Sequence, residues 1–266
     1  MKKVVTICLL AISCSAIAQT DSIVKSQPSK NPVLYRKNEF KINASALLLS
    51  NISLWYERSL SSKISASVGF STMGKTKLSG TPLGEKVLDG LVDEDDTDLD
   101  DIKAAEVGGN AYTAEVRFYT GKRKPGPRGF YVSLYGRKTK LDVSYPYTYE
   151  TGATTYRVPV SGTFNGYSGG LSLGVKWIIA KRVSIDLCFL GAHYGHISGN
   201  FSGAANLAGT TASQKDEIKE DFLSVGRIAG KNITKDIVVT NSGVTGRVDG
   251  PMVGTLMGSL KIGIAF

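Results

Sequence analysis

From Phe40 onward the chain changes polarity residue by residue, in one stretch after another. Phe40, Ile42, Ala44, Ala46 and Leu48 alternate with Lys41, Asn43 and Ser45. Ile52, Leu54 and Tyr56 alternate with Ser53 and Glu57, and Ile64, Ala66, Val68 and Phe70 with Ser65, Ser67 and Ser71. Tyr112, Ala114, Val116 and Phe118 oppose Thr113, Glu115 and Arg117. Phe130, Val132 and Leu134 oppose Tyr131, Ser133, Tyr135 and Arg137. Leu171, Leu173, Val175 and Trp177 oppose Ser172, Gly174 and Lys176, while Val183, Ile185, Leu187 and Phe189 oppose Asp186 and Cys188. The last stretch sets Leu256, Leu260, Ile262, Ile264 and Phe266 against Ser259, Lys261 and Gly263. A period of two sends successive side chains to opposite faces of a strand. The pattern therefore predicts eight strands, each with one apolar and one polar face.

The joins between these stretches are unequal in an ordered way. Those after the second, fourth and sixth are short, at Ser61-Ser62, Gly121 to Arg128 and Ala180 to Arg182. Those after the third, fifth and seventh are long, over 75–110, 139–163 and 199–252, and only the first odd join, near Ser50-Asn51, breaks the rule by being short. Short turns at one end and long loops at the other are the habit of transmembrane β-barrels. The expected fold is all-β, an eight-stranded antiparallel transmembrane barrel with short periplasmic turns and long extracellular loops.

A soluble, lipocalin-like barrel is the alternative, with apolar side chains inside. The aromatics decide between the two. Phe40, Tyr56, Phe118, Phe130, Trp177 and Phe266 all sit on the apolar parity beside the short-turn end, as in the aromatic girdle at a membrane–water interface. In a closed barrel the last strand pairs with the first and leaves no edge, which accounts for a chain ending on an apolar zigzag.

The polar parity then faces inward. It supplies Lys41, Glu57, Glu115, Arg117, Arg137, Lys176, Asp186 and Lys261, and eight strands enclose a space that side chains just fill. Buried charges must pair, so the expectation is a charge network plugging the interior, with a narrow channel as the alternative.

Composition and the N-terminus add a location. Lys2 and Lys3, the apolar run Val4 to Ile12 and Ala16-Ile17-Ala18 read as a signal peptide over 1–18. Lipidation at Cys14 is the competing form of processing. A periplasmic tail over 19–38, with Pro28 and Pro32, precedes the barrel at 39–266. Cys188 is then the single cysteine of the mature chain and reads as a small packed residue. The net charge of +9 is spread over many elements, and export argues against a nucleic-acid partner. No cofactor is expected.

The loops carry candidate chemistry. Asp96, Asp98 and Asp100, within the run LDGLVDEDDTDLDDIK, have the alternate spacing of calcium ligands, against a solvated acidic loop. Tyr145, Tyr147, Tyr149 and Tyr156 offer rigid contact area for a partner, or extend the wall as a hairpin. Ser213 and Asp216 form a capping box ahead of Ile218, Phe222, Val225 and Ala229, which share one helical face.

His196 and Ser198 stand two apart on one face of a strand, the arrangement of a base and a nucleophile. The stretch GAHYGHISGN is similar to the His-x-Ser motif of outer-membrane lipid A deacylases. By parity with Asp186 and Cys188, however, both residues face inward, and no acidic third member is apparent. His193 faces the other way.

The stretch FKINASALLLSNISLWYERSLSSKISASVGFSTM resembles a family of small outer-membrane barrels frequent in Bacteroidetes. The resemblance rests on Lys41 and Asn43, Asn51, the Tyr56-Glu57 pair, the strand GYSGGLSLGVKW and the terminal aromatic strand. It implies an OmpA-like eight-stranded barrel in the outer membrane, delivered by the outer-membrane assembly machinery and surrounded by lipid and lipopolysaccharide. It implies no activity. The expected function is therefore structural or surface-binding through the long loops, with no enzymatic role. A lipid A-modifying hydrolase and a narrow channel are the alternatives, and no extracellular partner is indicated.

Overall fold

The computed structural model describes residues 35–81, 104–120, 126–152, 154–225, 227–228, 231–256 and 258–266. Strands β1 (Asn38–Asn43), β2 (Asn51–Ser59), β3 (Ile64–Lys77), β4 (Glu106–Tyr119), β5 (Gly129–Thr151), β6 (Thr154–Ile179) and β7 (Val183–Ala204) come first. Helix α1 (Ala212–Val225) follows, then β8 (Arg227–Ile228), β9 (Lys231–Asn232), β10 (Thr234–Thr240), β11 (Gly243–Leu256) and β12 (Ser259–Ala265). Each strand from β1 to β6 pairs antiparallel with the next, and β12 lies between β7 and β1. A closed circuit of eight strands results.

Beyond β12, strand β11 continues along the same edge of β7, and β10 lies on its outer side. The ten strands form one antiparallel sheet, with β8 and β9 forming a separate two-stranded one. The turns at 60–63 and 180–182 lie at the same end of the circuit as the chain's last residue. At the second of these, Ala180 and Lys181 take φ of 48° and 64°, the positive pair of a tight turn whose twist matches its strands.

All eight alternating stretches are strands, but their limits differ from expectation in three places. The first strand stops at Asn43, and Ser45–Leu49 forms a 3-10 turn, so Ala44, Ala46 and Leu48 do not continue the zigzag. Ser45 Oγ accepts the Leu260 N–H at 3.1 Å, a donor that a longer β1 would have taken. The join 139–163 is a hairpin, because β5 and β6 stay paired up to Thr151 and Thr154. The join 199–252 contains the end of β7, α1, β10 and most of β11. Residues 82–103, with Asp96, Asp98 and Asp100, lie outside the described residues, as do the signal-peptide and tail segments up to residue 34.

A fourth departure is a bulge in β7. Leu173 pairs with Leu190 and Gly174 with Cys188, which leaves Phe189 without a partner. One extra residue reverses which face every later side chain of the strand takes.

The most informative feature runs lengthwise along β5 and β6. In β6 the even positions turn inward: Lys176, Ser172 and Ser168 near the short-turn end, then Val160 and Val158 at the other. The odd positions turn outward, as Trp177, Val175, Leu173, Leu171 and Tyr167, then Asn165, Thr163, Ser161 and Arg157. Strand β5 changes in step. Phe130, Val132 and Leu134 point out below Lys138 and Lys140, while Ser133 and Arg137 point in below Tyr147 and Tyr149. Parity is constant while polarity inverts.

The apolar interior at the far end is a closed core. Tyr147, Tyr149, Val158, Val160, Phe201, Leu207, Ile218, Ile237 and Val244 pack together, with Phe222 and Leu223 against them. Helix α1 thus caps this end of the sheet. Its N-terminus carries a reciprocal box two residues before the expected one. Thr211 Oγ1 accepts the Gln214 N–H at 3.3 Å, and Gln214 Oε1 accepts the Thr211 N–H at 2.8 Å.

Candidate functional site

Inside the short-turn half, six strands converge their polar residues on one ion network. Lys41 (β1) donates to Glu57 (β2) at 2.5 Å and to Asp186 (β7) at 2.6 Å. Arg117 (β4) reaches Asp186 at 2.5 Å, Glu115 at 2.9 Å and Glu57 at 3.4 Å. Lys176 (β6) bonds Glu57 at 2.9 Å and also Glu39. Tyr119 donates to Glu57 at 3.0 Å, and Tyr131 (β5) to Asp186 at 2.8 Å. The Arg117 guanidinium also lies 4.4 Å from the Tyr131 ring centre. All of these side chains are buried. Six of the eight charges expected inside belong to this network, which also takes in Glu39, Tyr119 and Tyr131. Glu39 lay one residue before the start assigned to the first strand. The two tyrosines carry no charge to mark them.

The other two expected charges, Arg137 and Lys261, behave differently. Neither has a carboxylate within ion-pair distance among the described residues. Arg137 donates its Nε–H to Thr113 Oγ1 at 3.2 Å. Lys261 places its ammonium 3.9 Å from the centre of the Trp55 ring. That ring occupies space left by Gly69, where a Cβ would fall 2.5 Å from it, so the sequence needs glycine there. Arg137 and Lys261 line a cavity of about 540 Å3 that Glu115 of the network also lines. Cys188 lines the same cavity and is buried, as its small size suggested.

The six aromatics Phe40, Tyr56, Phe118, Phe130, Trp177 and Phe266 all lie on the outer face of the circuit. Five of them are exposed, and Tyr56 is half-covered, its hydroxyl donating to Asn38. Phe40 packs against both Tyr56 and Phe266, with ring centres 5.4 and 5.6 Å apart.

His196 and Ser198 do not face inward. The bulge at Phe189 turns both to the outer wall, and it turns His193 inward, where its Nδ1 lies 3.1 Å from the Tyr135 hydroxyl. The missing acidic member is present as well. Asp249 of β11 pairs in register with Ser198, and its Oδ1 lies 2.9 Å from His196 Nε2. Arg247 and Lys235 hold its other oxygen at 2.8 and 3.5 Å. Sequence reading could not supply Asp249, because a helix and three strands separate its strand from β7. Ser198 Oγ makes no hydrogen bond among the described residues.

At the capped end the tyrosines bind the helix. Tyr147 donates to Asp221 and Tyr149 to Glu217, each at 2.6 Å. The hydrogen bond to Glu217, with burial and the carboxylate's charge, raises the Tyr149 hydroxyl to about 12. Burial and the hydrogen bond to Asp221 push Tyr147 up as well. These tyrosines are cap packing, the hairpin alternative to a loop. Among the described residues, no group of acidic, histidine or cysteine side chains is placed to hold a metal ion.

A scan against protein-family models, a search of curated proteins and a search of solved structures each returned no match.

Proposed function

We propose that the chain is an integral outer-membrane β-barrel. On this reading its interior is sealed by the ion network, and its capped end stands outside the membrane as a surface for binding partners. One observation carries the reading: the inversion of polarity along β5 and β6 at constant parity. A strand with Leu171, Leu173, Val175 and Trp177 outside and Lys176 inside needs an apolar surrounding at that level. The same strand with Ser161 and Thr163 outside and Val158 inside needs water. A closed circuit satisfies its backbone groups internally, as hydrocarbon requires. The exposed aromatics at the short-turn end suit an interface.

Two alternatives lose support. A lipocalin-like barrel requires an apolar interior where the network stands. An open channel requires free space where Arg117, Tyr119, Tyr131 and Lys176 pack.

The test is solvent access in intact membranes. In a Cys188→Ser background, Leu171→Cys is expected to resist a water-soluble maleimide and Ser161→Cys to react fully. Equal reaction of both, or a folded product that stays dissolved without detergent, would overturn the proposal.

A second reading, a lipid-ester hydrolase, is favoured by the His196–Asp249 contact. On the outer wall, His196 would take the Ser198 proton as Oγ adds to an ester carbonyl. It would return that proton to the departing alcohol, and water would then release the acyl group. Mass spectrometry of lipid A from overproducing cells tests it. A shift lost in both His196→Ala and Ser198→Ala supports the reading, and unchanged lipid A ends it.

A further inference from the structure

The cavity beside the ion network is both charged and apolar. Lys261 is only 6% exposed, yet among the described residues its ammonium has the Trp55 ring and no carboxylate as partner. Arg137 engages a single threonine hydroxyl. Glu115 lines the same space, with Arg117 and Ser67 both bonded to its Oε2. With Arg137 and Lys261 the interior carries five cations against the four carboxylates Glu39, Glu57, Glu115 and Asp186, and neither of these two has a carboxylate in direct contact among the described residues. A buried cation without a direct partner is costly, and an anion beside the two would offset that cost.

Another part of the lining is of a different kind. It is the 3-10 turn that replaces the end of β1, and it contributes Ala46, Leu48 and Leu49. Leu47 and Leu48 are also about half exposed on the outer surface, so this wall is one turn thick. The volume of about 540 Å3 lies within the roughly 300–1,000 Å3 of small-molecule sites.

We propose that this cavity binds a single-chain anionic amphiphile. Its carboxylate sits on Lys261 and Arg137, and its acyl chain lies along Ala46, Leu48 and Leu49. Cations and apolar side chains line one cavity, which neither a free small anion nor a neutral hydrocarbon would use fully. The inference goes beyond the proposed function and does not depend on the hydrolase reading.

The test uses the full chain in phosphatidylcholine nanodiscs with Trp177→Phe, which leaves Trp55 as the single tryptophan. Bromine-substituted decanoate should quench Trp55 saturably. Lys261→Met and Arg137→Met should each raise the midpoint at least tenfold, and Lys261→Arg should restore it. Brominated decanol should give no saturable quenching. Saturating decanoate should also slow bimane labelling of Cys188 severalfold. If Lys261→Met fails to fold, Ala46→Phe, which fills the apolar wall, decides instead: lost saturation supports the site. Quenching linear in ligand, a midpoint unchanged in the folded variants, or equal quenching by decanol would overturn the proposal.

Discussion

Along β6, Lys176 and Ser172 turn into the circuit while Leu171 and Trp177 turn out of it; toward its other end Val158 turns in and Arg157 turns out. The backbone is the same extended ribbon in both regions. What differs is which face carries the apolar side chains. In the first region the interior is a polar network spanning six strands, and the exterior is apolar. In the second the interior is an apolar core under α1, and the exterior is polar. Alternation by itself identifies a strand, and only the side on which the apolar members fall reports the solvent. A sheet with one polarity pattern keeps one answer along its whole length. This one gives two, and the change occurs near Tyr167 on β6 and between Gly136 and Lys138 on β5.

The largest effect is expected from cutting the polar interior. Arg117→Met leaves Asp186 and Glu115 short of a partner, and removing one member of a buried ion set costs about 3–5 kcal/mol. Urea unfolding in detergent micelles should read this as a large drop in midpoint. A change under about 1 kcal/mol would mean that water reaches the network.

A matched pair on β6 sharpens the comparison directly. Leu171→Arg places a charge on the apolar exterior and is expected to cost about 2–4 kcal/mol if that face meets lipid. Ser161→Arg, on the same parity in the other region, is expected to cost less than about 0.5 kcal/mol, as for ordinary surface changes. Equal costs would remove the distinction between the regions.

Within the cap, Thr211→Ala removes one half of the reciprocal box and is expected to cost about 1 kcal/mol. Protease cleavage within α1 should become faster while the ring stays intact.

The smallest effect is a pH dependence. Tyr149 ionises at about 12 in the folded chain, against about 10 for an unperturbed tyrosine. A raised value means that its contribution is whole below pH 10 and is lost as pH rises through 12. Protease sensitivity of α1 should increase over that window, and Tyr149→Phe should flatten the rise. A rise already complete at pH 9 would assign the effect to another group.

Much of the ring was legible because alternation is a local property of backbone geometry. Each of the eight stretches is a strand, and six of the eight charges read as interior form one network. The hydrolase candidates show where such reading fails. Parity carried from Asp186 past Phe189 put His196 on the wrong face, since nothing in the local sequence marks a one-residue bulge. Asp249 was invisible for another reason: its nearness to Ser198 exists only once β11 pairs with β7. The same limit applies to Ala44, Ala46 and Leu48, which continue the zigzag in sequence but leave the strand in space.

The sequence alone determined the alternation within each of the eight stretches, and hence that each stretch carries an apolar and a polar face. Pairing across distant strands decided where β1 ends, which way β7 faces after its bulge, and that Arg137 and Lys261 stand apart from the ion network. The physical reason is range. Side-chain alternation is fixed by neighbouring residues, whereas register, bulges and charge pairing are fixed by whichever strand comes alongside and by what fills the space between.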